Sequence, residues 1–452
     1  MTHEIVSAQR EYYLSGATRS YEFRMDALAS LKAAIQRNEQ LIMDALKADL
    51  NKSGSEAYIF EIGLVLEEIS YHEKHLREWM RERTVPGAMG MRTGKSFVSP
   101  EPYGVTLIMS PWNYPVNLCF EPLVGAISGG NTAVIKPSAY APRCAAAFAK
   151  LIGEAFAPEY ITVVEGGREE NAALLNERFD YIFFTGSVAV GRTVMAAAAK
   201  NLTPVTLELG GKSPVIVDET ANIPLAAKRV AFGKTVNAGQ TCVAPDYLFI
   251  HESVKDEFIE NYKKWLKKFF PKNHDQMVTI ISDKHYKRVK RLLEDGNKLI
   301  GGGFDDTRRF IEPTVIDGLS FDSPIMQEEI FGPLLPVFAY KDLDECIAFI
   351  RSREKPLALY MFSECQDNIR RVLDNCAFGG GCINDTLMHL GNANLPFGGV
   401  GNSGMGSYHG EKSFETFSHF RSVFHQSGML DEPVRYMPYS DMRLALMKKL
   451  LK

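Results

Sequence analysis

At 452 residues the chain is too long for one ordinary core and, at about 150 residues per domain, suggests two or three units, which an apolar content of 45% is enough to fill. A formal net charge of -4 and a pI near 6.2 give no basic footprint for nucleic acid. The cysteines, at 119, 144, 242, 346, 365, 376 and 382, are odd in number and lack metal-ligand spacing, which fits reduced thiols in a cytoplasmic protein without a metal centre.

Over 26–83 apolar residues recur at helical spacing, as in Leu28, Leu31 and Ile35, so helices are expected first. Between Thr84 and Gly104 three prolines and four glycines break the periodicity, as in an extended excursion. The pattern then predicts strands over 105–109 and 132–135, each followed by a helix, near 118–127 and over 142–156. Strands over 161–164 and 181–184, a helix over 190–202 and a strand over 205–209 complete the series. Short apolar strands alternating with crossover helices predict an α/β fold with a parallel, doubly wound sheet. A second α/β series begins at 215–217, with further strands at 247–250 and 357–362, so a domain boundary falls just after Glu208. The run Lys263–Lys268 has the spacing of a helix with one wet basic face. Residues 420–425 alternate as a strand does. The end at 444–452 is too short and charged to insert stably in a membrane; it reads as a solvated or dimer-packed tail, with a membrane-touching amphipathic helix as the alternative.

The chemistry concentrates around one cysteine. Asn237-Ala-Gly-Gln-Thr-Cys242 is a glycine turn that can hold a sulfur exposed near peptide N–H groups, where a thiolate attacks an aldehyde or acyl carbon. An isolated cysteine is more often a small buried hydrophobe, so the neighbours decide. Leu207-Glu208-Leu209-Gly210-Gly211 reads as a strand end with its carboxylate on the face opposite the leucines, making Glu208 a candidate base. Phe183-Phe-Thr-Gly-Ser187 followed by Gly191 is a strand, a turn and a helix start. Its spacing serves a structural turn as readily as a phosphate site. Lys136 closes a buried-looking strand and is either an ordinary strand-end lysine or a cation for ribose hydroxyls. Asn113, in Trp-Asn-Tyr-Pro, is by itself a turn-closing side chain.

Seven segments in order carry a family resemblance: Pro111-Trp-Asn-Tyr-Pro115, Val134-Ile-Lys-Pro-Ser138, Phe184-Thr-Gly-Ser187, Thr206-Leu-Glu-Leu-Gly-Gly-Lys-Ser-Pro214, Gly239-Gln-Thr-Cys242, Glu328-Glu-Ile-Phe-Gly-Pro333 and Leu395-Pro-Phe-Gly-Gly-Val-Gly-Asn-Ser-Gly-Met-Gly406. In these the chain resembles the aldehyde dehydrogenases, and among them the short, dimeric, NAD(P)-dependent class 3 branch. The resemblance implies a Rossmann-like cofactor domain (1–83 and 104–208), an α/β catalytic domain (209–398) and a bridging β-ribbon with an oligomerisation region (84–103 and 399–452). It implies Cys242 as nucleophile, Asn113 with the Cys242 backbone N–H as oxyanion donors, and Glu208 as the base that activates water, Glu329 being the rival. It places Lys136 on the adenosine ribose, Gly186, Ser187 and Gly191 around the pyrophosphate, and Glu329 and Phe331 at the nicotinamide ribose and ring.

The expected reaction is oxidation of aldehydes, of medium or long aliphatic or aromatic type, to carboxylic acids with NAD and/or NADP. The expected assembly is a homodimer whose strand over 420–425 completes a neighbour's sheet. A CoA-acylating enzyme and an inactive binding relative are the alternatives. Tyr114, Thr241, Leu387, His389 and Phe397 adjoin the matched motifs as candidate funnel walls, each equally suited to a core; His389 and His409 read as structural histidines. One departure matters: where the family commonly has Lys-Pro-Ser-Glu, this chain has Ala139, which removes a carboxylate that would repel a 2′-phosphate.

Overall fold

The computed structural model describes residues 2–87, 94–271, 277–431 and 435–450. Its first sheet runs in the order Ile161–Val163, Thr132–Lys136, Val105–Met109, Tyr181–Thr185, Val205–Glu208, all parallel, with Gly404–Met405 antiparallel on the edge. The chain enters at Val105–Met109 and winds first to one side and then to the other. The order therefore reverses between Met109 and Thr185, and the carboxyl ends of these two strands open a crevice of the kind that binds ligands in doubly wound sheets. Strands Val105–Met109, Thr132–Lys136 and Tyr181–Thr185 are buried along their whole length, because helices cover both faces, which is why they read as continuous apolar runs.

The second sheet has the order Asn297–Ile300, Thr314–Asp317, Leu334–Tyr340, Tyr247–His251, Pro214–Val217, Ala358–Phe362, Gly380–Ile383, parallel except for its first strand. Its helix Ile223–Thr235 runs into the turn that carries Cys242. A third, antiparallel sheet joins Arg83–Val85, Gly94–Pro102 and Ser418–Gln426. Part of the excursion expected over 84–103, residues 88–93, lies outside the described residues.

Several boundaries differ from the sequence reading for physical reasons. The helix expected over 190–202 spans Val188–Ala199, because the Ser187 hydroxyl accepts from Val190 N (3.4 Å) and caps it two residues earlier. A helix, Thr2–Leu14, precedes the expected helical region and donates from Gln9 Nε2 to Ala133 O (2.9 Å) at the first sheet. Among the described residues of the segment assigned to the ribbon over 399–452, only Ser418–Gln426 pairs with Gly94–Pro102. Gly404–Met405 joins the first sheet against Leu207 and Glu208. Helix Lys255–Phe269 carries the run at 263–268, and helix Asp441–Leu450 ends the described chain, residues 451–452 lying outside it. No described helix is long and apolar enough to cross a membrane.

Candidate active site

Three successive residues before the nucleophile candidate, Asn237, Ala238 and Gly239, have φ of 51°, 53° and 71°. Only a glycine fits at 239: a Cβ there would lie 2.3 Å from Gly332 O and 2.9 Å from Lys234 O. The turn is thereby pressed against the Phe331-Gly332 backbone, with hydrogen bonds from Gln240 Nε2 to Asn237 O (3.1 Å) and Thr279 O (3.1 Å) and from Ile281 N to Gln240 Oε1 (3.1 Å). Cys242 emerges half-buried into a cavity of about 550 Å³ between the two α/β units.

That cavity brings together Asn113, Gly186, Ser187, Glu208, Cys242, Glu329 and Phe331, which lie far apart in the chain. Burial pushes the Cys242 thiol up to about 12, reinforced by the Glu329 and Glu208 carboxylates and opposed by the N–H groups of Cys242 and Val243. At neutral pH the sulfur is therefore a thiol that needs a base. Glu208 is buried with neither oxygen hydrogen-bonded among the described residues, and burial raises its carboxyl well above the usual range. Glu329 is raised to about 8, by burial and then by Asp246, while Gly211 N–H opposes the shift. Asn113 Nδ2 donates to Gln240 O (3.0 Å), which ties its carboxamide to the nucleophile turn and engages one of its two N–H donors.

The chain is similar to known proteins over nearly its whole length. The aldehyde dehydrogenase family profile matches residues 2–423. The chain belongs to the aldehyde dehydrogenase family. It is 50% identical over 435 residues to the 4,4'-diaponeurosporen-aldehyde dehydrogenase of Staphylococcus aureus, covering 95% of each protein. It is 44% identical over 440 residues to the dimeric NADP-preferring aldehyde dehydrogenase of Rattus norvegicus, covering 96% of this chain and 97% of that one. The solved structure of substrate-bound Staphylococcus aureus AldH superposes with a TM-score of 0.98 at 48% identity, covering 100% of both chains. The enzyme is thus an oxidoreductase that oxidises aldehydes with a nicotinamide cofactor, NAD and/or NADP.

The residues at the crevice fit such a cofactor. Helix Val188–Ala199 points its N-terminus at the cavity, and Gly186 carries no Cβ where one would fall 2.6 Å from the Phe184 ring. Thr185 Oγ1 is buried without a partner among the described residues. Glu329 rests on Gly210, where a Cβ would be 2.1 Å from its Oε2.

Two expected cofactor residues stand elsewhere. Gly191 does not line the cavity; its missing Cβ makes room for Leu209, 2.7 Å from where that Cβ would be. Lys136 also lies outside the cavity lining, with Nζ donating to Pro137 O (2.9 Å) and Gly166 O (2.7 Å) beside exposed Ala139. Burial lowers the Lys136 ammonium, and Glu170 and Glu165 oppose that.

The funnel-wall residues Tyr114, Thr241, Leu387, His389 and Phe397 are likewise absent from this cavity, whose apolar wall includes Leu118 instead. Tyr114 bonds Thr241 through their hydroxyls (2.8 Å), and Leu387 and Phe397 are buried. His389 sits 3.4 Å from the Cys382 sulfur, and burial lowers its imidazole to about 4. For His409 burial acts downward, but Glu121 at 3.2 Å, with Glu68, raises it overall.

Sequence reasoning missed Trp112, His285 and Arg288, which also line the cavity. Trp112 packs on Phe331 (5.3 Å between ring centroids) and on His285 (5.1 Å). Arg288 clamps the backbone that carries Glu329, donating to Glu329 O (3.1 Å) and Ile330 O (2.6 Å). His285 is lowered to about 4 by burial and by Arg288 and Lys284, so it faces the cavity as a neutral imidazole. The helix Asp283–Arg291 that bears both residues reads in sequence as a solvated basic face and carried no signal. Among the described residues no His, Cys, Asp or Glu cluster is placed to hold a metal ion.

Proposed function

We propose that the enzyme converts aldehydes to carboxylic acids through covalent bonding to Cys242. Glu208, unpaired in the same cavity, takes the thiol proton, and the sulfur adds to the aldehyde carbon to form a thiohemiacetal. The free N–H of Asn113 and the backbone N–H of Cys242 stabilise the oxygen as it gains charge, an effect typically worth about 10²–10³ in rate. The nicotinamide, when bound, supplies the hydride acceptor that leaves a thioester on Cys242. Glu208, its first proton released to solvent, then removes a proton from water, whose oxygen attacks the thioester carbon; the C–S bond breaks, Glu208 returns that proton to the sulfur and the carboxylic acid departs. Glu329 serves the cofactor ribose, fixed by Gly210, Gly211 and Arg288, rather than the water.

The single observation that carries this reading is the buried Glu208 carboxylate facing the cavity of Cys242 with no hydrogen-bond partner among the described residues. A base available to water favours hydrolysis over transfer to coenzyme A. Trp112, Leu118 and Phe331 give the cavity aromatic and aliphatic walls, which favour medium or long apolar aldehydes, and the Staphylococcus aureus relative is named for such a compound, diaponeurosporen-aldehyde. The rat relative's name supports use of NADP beside NAD and assembly as a homodimer. The unpaired cysteines support a reducing, cytoplasmic setting.

Steady-state rates over n-alkanals of increasing length and benzaldehyde, with each cofactor and with product identified by mass, test the proposal. Expected are a free carboxylic acid without coenzyme A, specificity constants that rise with chain length, and no turnover by a folded Cys242→Ala variant. Dependence on coenzyme A, or turnover by that variant, would overturn it.

A further inference from the structure

A buried ion pair just outside the cavity lining holds both ends of the loop that presents Asn113. Lys52 and Glu61 are 1% and 0% exposed and bond directly to each other. Lys52 Nζ also donates to the backbone oxygen of Asn113 (2.9 Å) and lies 4.1 Å from the Tyr114 ring centroid. Glu61 Oε2 accepts from Val116 N (2.8 Å) and Asn117 N (3.2 Å), the amides at the start of helix Asn117–Gly129. One pair therefore grips the loop at 113 through its carbonyl and at 116–117 through its amides.

The same carbonyl couples this loop to the nucleophile turn. Asn113 O accepts a second hydrogen bond from Asn237 Nδ2 (2.8 Å), and Asn237 Nδ2 and Asn113 Nδ2 both reach Gln240 O, each at 3.0 Å. Glu56 Oε1 holds Asn237 from the other side by accepting from its N–H (2.8 Å). Glu61 lies in the π-helical turn Tyr58–Ile62, an irregularity that costs helix regularity and is frequent at functional sites.

We propose that Lys52 and Glu61 are positioning residues that set the Asn113 carboxamide against the Cys242 turn, and so preorganise the oxyanion site without touching substrate or cofactor. This rests on the reading of Asn113 as oxyanion donor. A misplacement of about 1 Å at a reacting centre can cost about 10²-fold. Removing either partner also leaves a buried charge or a loosened loop, whereas exchanging both for apolar groups of similar volume is tolerated better.

The test compares two reactions of Cys242 in the full-length enzyme without cofactor. Acylation by p-nitrophenyl acetate passes through an oxyanion; alkylation by iodoacetamide does not. Cys242→Ala supplies the blank for the other thiols. Lys52→Met, Glu61→Gln and the double variant Lys52→Met/Glu61→Met, the last guarding against misfolding of the single ones, are expected to lower acylation roughly 10- to 100-fold while alkylation stays near wild type. In aldehyde oxidation kcat should fall with little change in KM. Asn113→Ala should lower the acylation-to-alkylation ratio at least as far. If Asn113→Ala lowers the ratio and the double variant does not, the positioning role is wrong. A parallel fall of both reactions in the double variant also overturns it, as the loss would then lie in the thiol or the fold. If Asn113→Ala itself leaves the ratio intact, the oxyanion reading fails and the inference falls with it.

Discussion

Glu208 and Cys242 face one cavity, and the carboxylate that would deprotonate the thiol has no hydrogen bond of its own among the described residues. Burial lifts both groups, and the Glu208 charge adds to the shift at Cys242. A buried, unpaired carboxyl is a liability to the fold, retained where function needs it.

That liability has a pH signature. Because the folded carboxyl of Glu208 lies well above its unfolded value of about 4.3, native protein keeps a proton that the unfolded chain releases. Stability from this group is present below about pH 4.3 and is lost as pH rises towards the folded value. Glu208→Gln does not titrate and escapes that loss. Its melting temperature should exceed wild type at neutral pH, with the gap closing in acid, while turnover falls about 10²–10⁴-fold and the initial burst of cofactor reduction falls with it, the thiol having lost its base. A gap that does not change between pH 4 and 8 would show that the carboxyl is solvated.

Gly239→Ala addresses the turn itself. At φ of 71°, with Gly332 O 2.3 Å from the added Cβ, the loop must shift or the backbone must strain. Expected are a loss of more than about 1 kcal/mol in denaturant unfolding and a marked drop in kcat, because Cys242 and the Phe331 segment are displaced together. Wild-type kcat in a destabilised variant would mean that the cysteine is positioned by other contacts.

The sequence reached Cys242 and Glu208 because each sits where local chemistry is visible, one after a glycine turn and the other at a strand end before two glycines. The strands around them were legible from continuous apolar runs, since both faces of the sheet are covered. Lys52, Glu56 and Glu61 were not legible. On a helical stretch a lysine and glutamates read as a wet face, and their burial depends on a π turn and on loops such as 113–117 and 237–240 that only the folded chain brings near. Gly404–Met405 is too short to show any period, so its place on the first sheet was hidden inside a glycine-rich motif. The family resemblance gives Gly191 a ligand role that its spacing leaves open, whereas its packing against Leu209 requires coordinates to be seen.

Assembly is testable directly. Strand Ser418–Gln426 pairs with Gly94–Pro102 on one side, and the residues after it expose Met429, Leu430, Met437, Tyr439 and Met442. Such an apolar set needs a covering surface. Sedimentation equilibrium should return twice the chain mass, and deletion of residues 427–452 should weaken the association. A monomer at micromolar concentration would contradict the homodimer.

Cofactor choice should turn on position 139. Ala139 is exposed beside the strand end that carries Lys136, whose ammonium spends two donors on Pro137 O and Gly166 O and keeps a third for a ligand oxygen. With no carboxylate at 139, a 2′-phosphate meets the Lys136 cation with one repelling anion fewer, Glu165 and Glu170 being the carboxylates that act on it, so wild type should turn over with NADP as well as NAD. Ala139→Glu introduces like-charge repulsion against the phosphate and a hydrogen-bond acceptor for the ribose diol of NAD. The ratio of kcat/KM for NAD over NADP should rise roughly tenfold or more, about 1.4 kcal/mol or above, mainly through a higher KM for NADP. If wild type rejects NADP and the substitution leaves the ratio unchanged, the adenosine ribose is read by other residues and the exposed Ala139 has no part in cofactor choice.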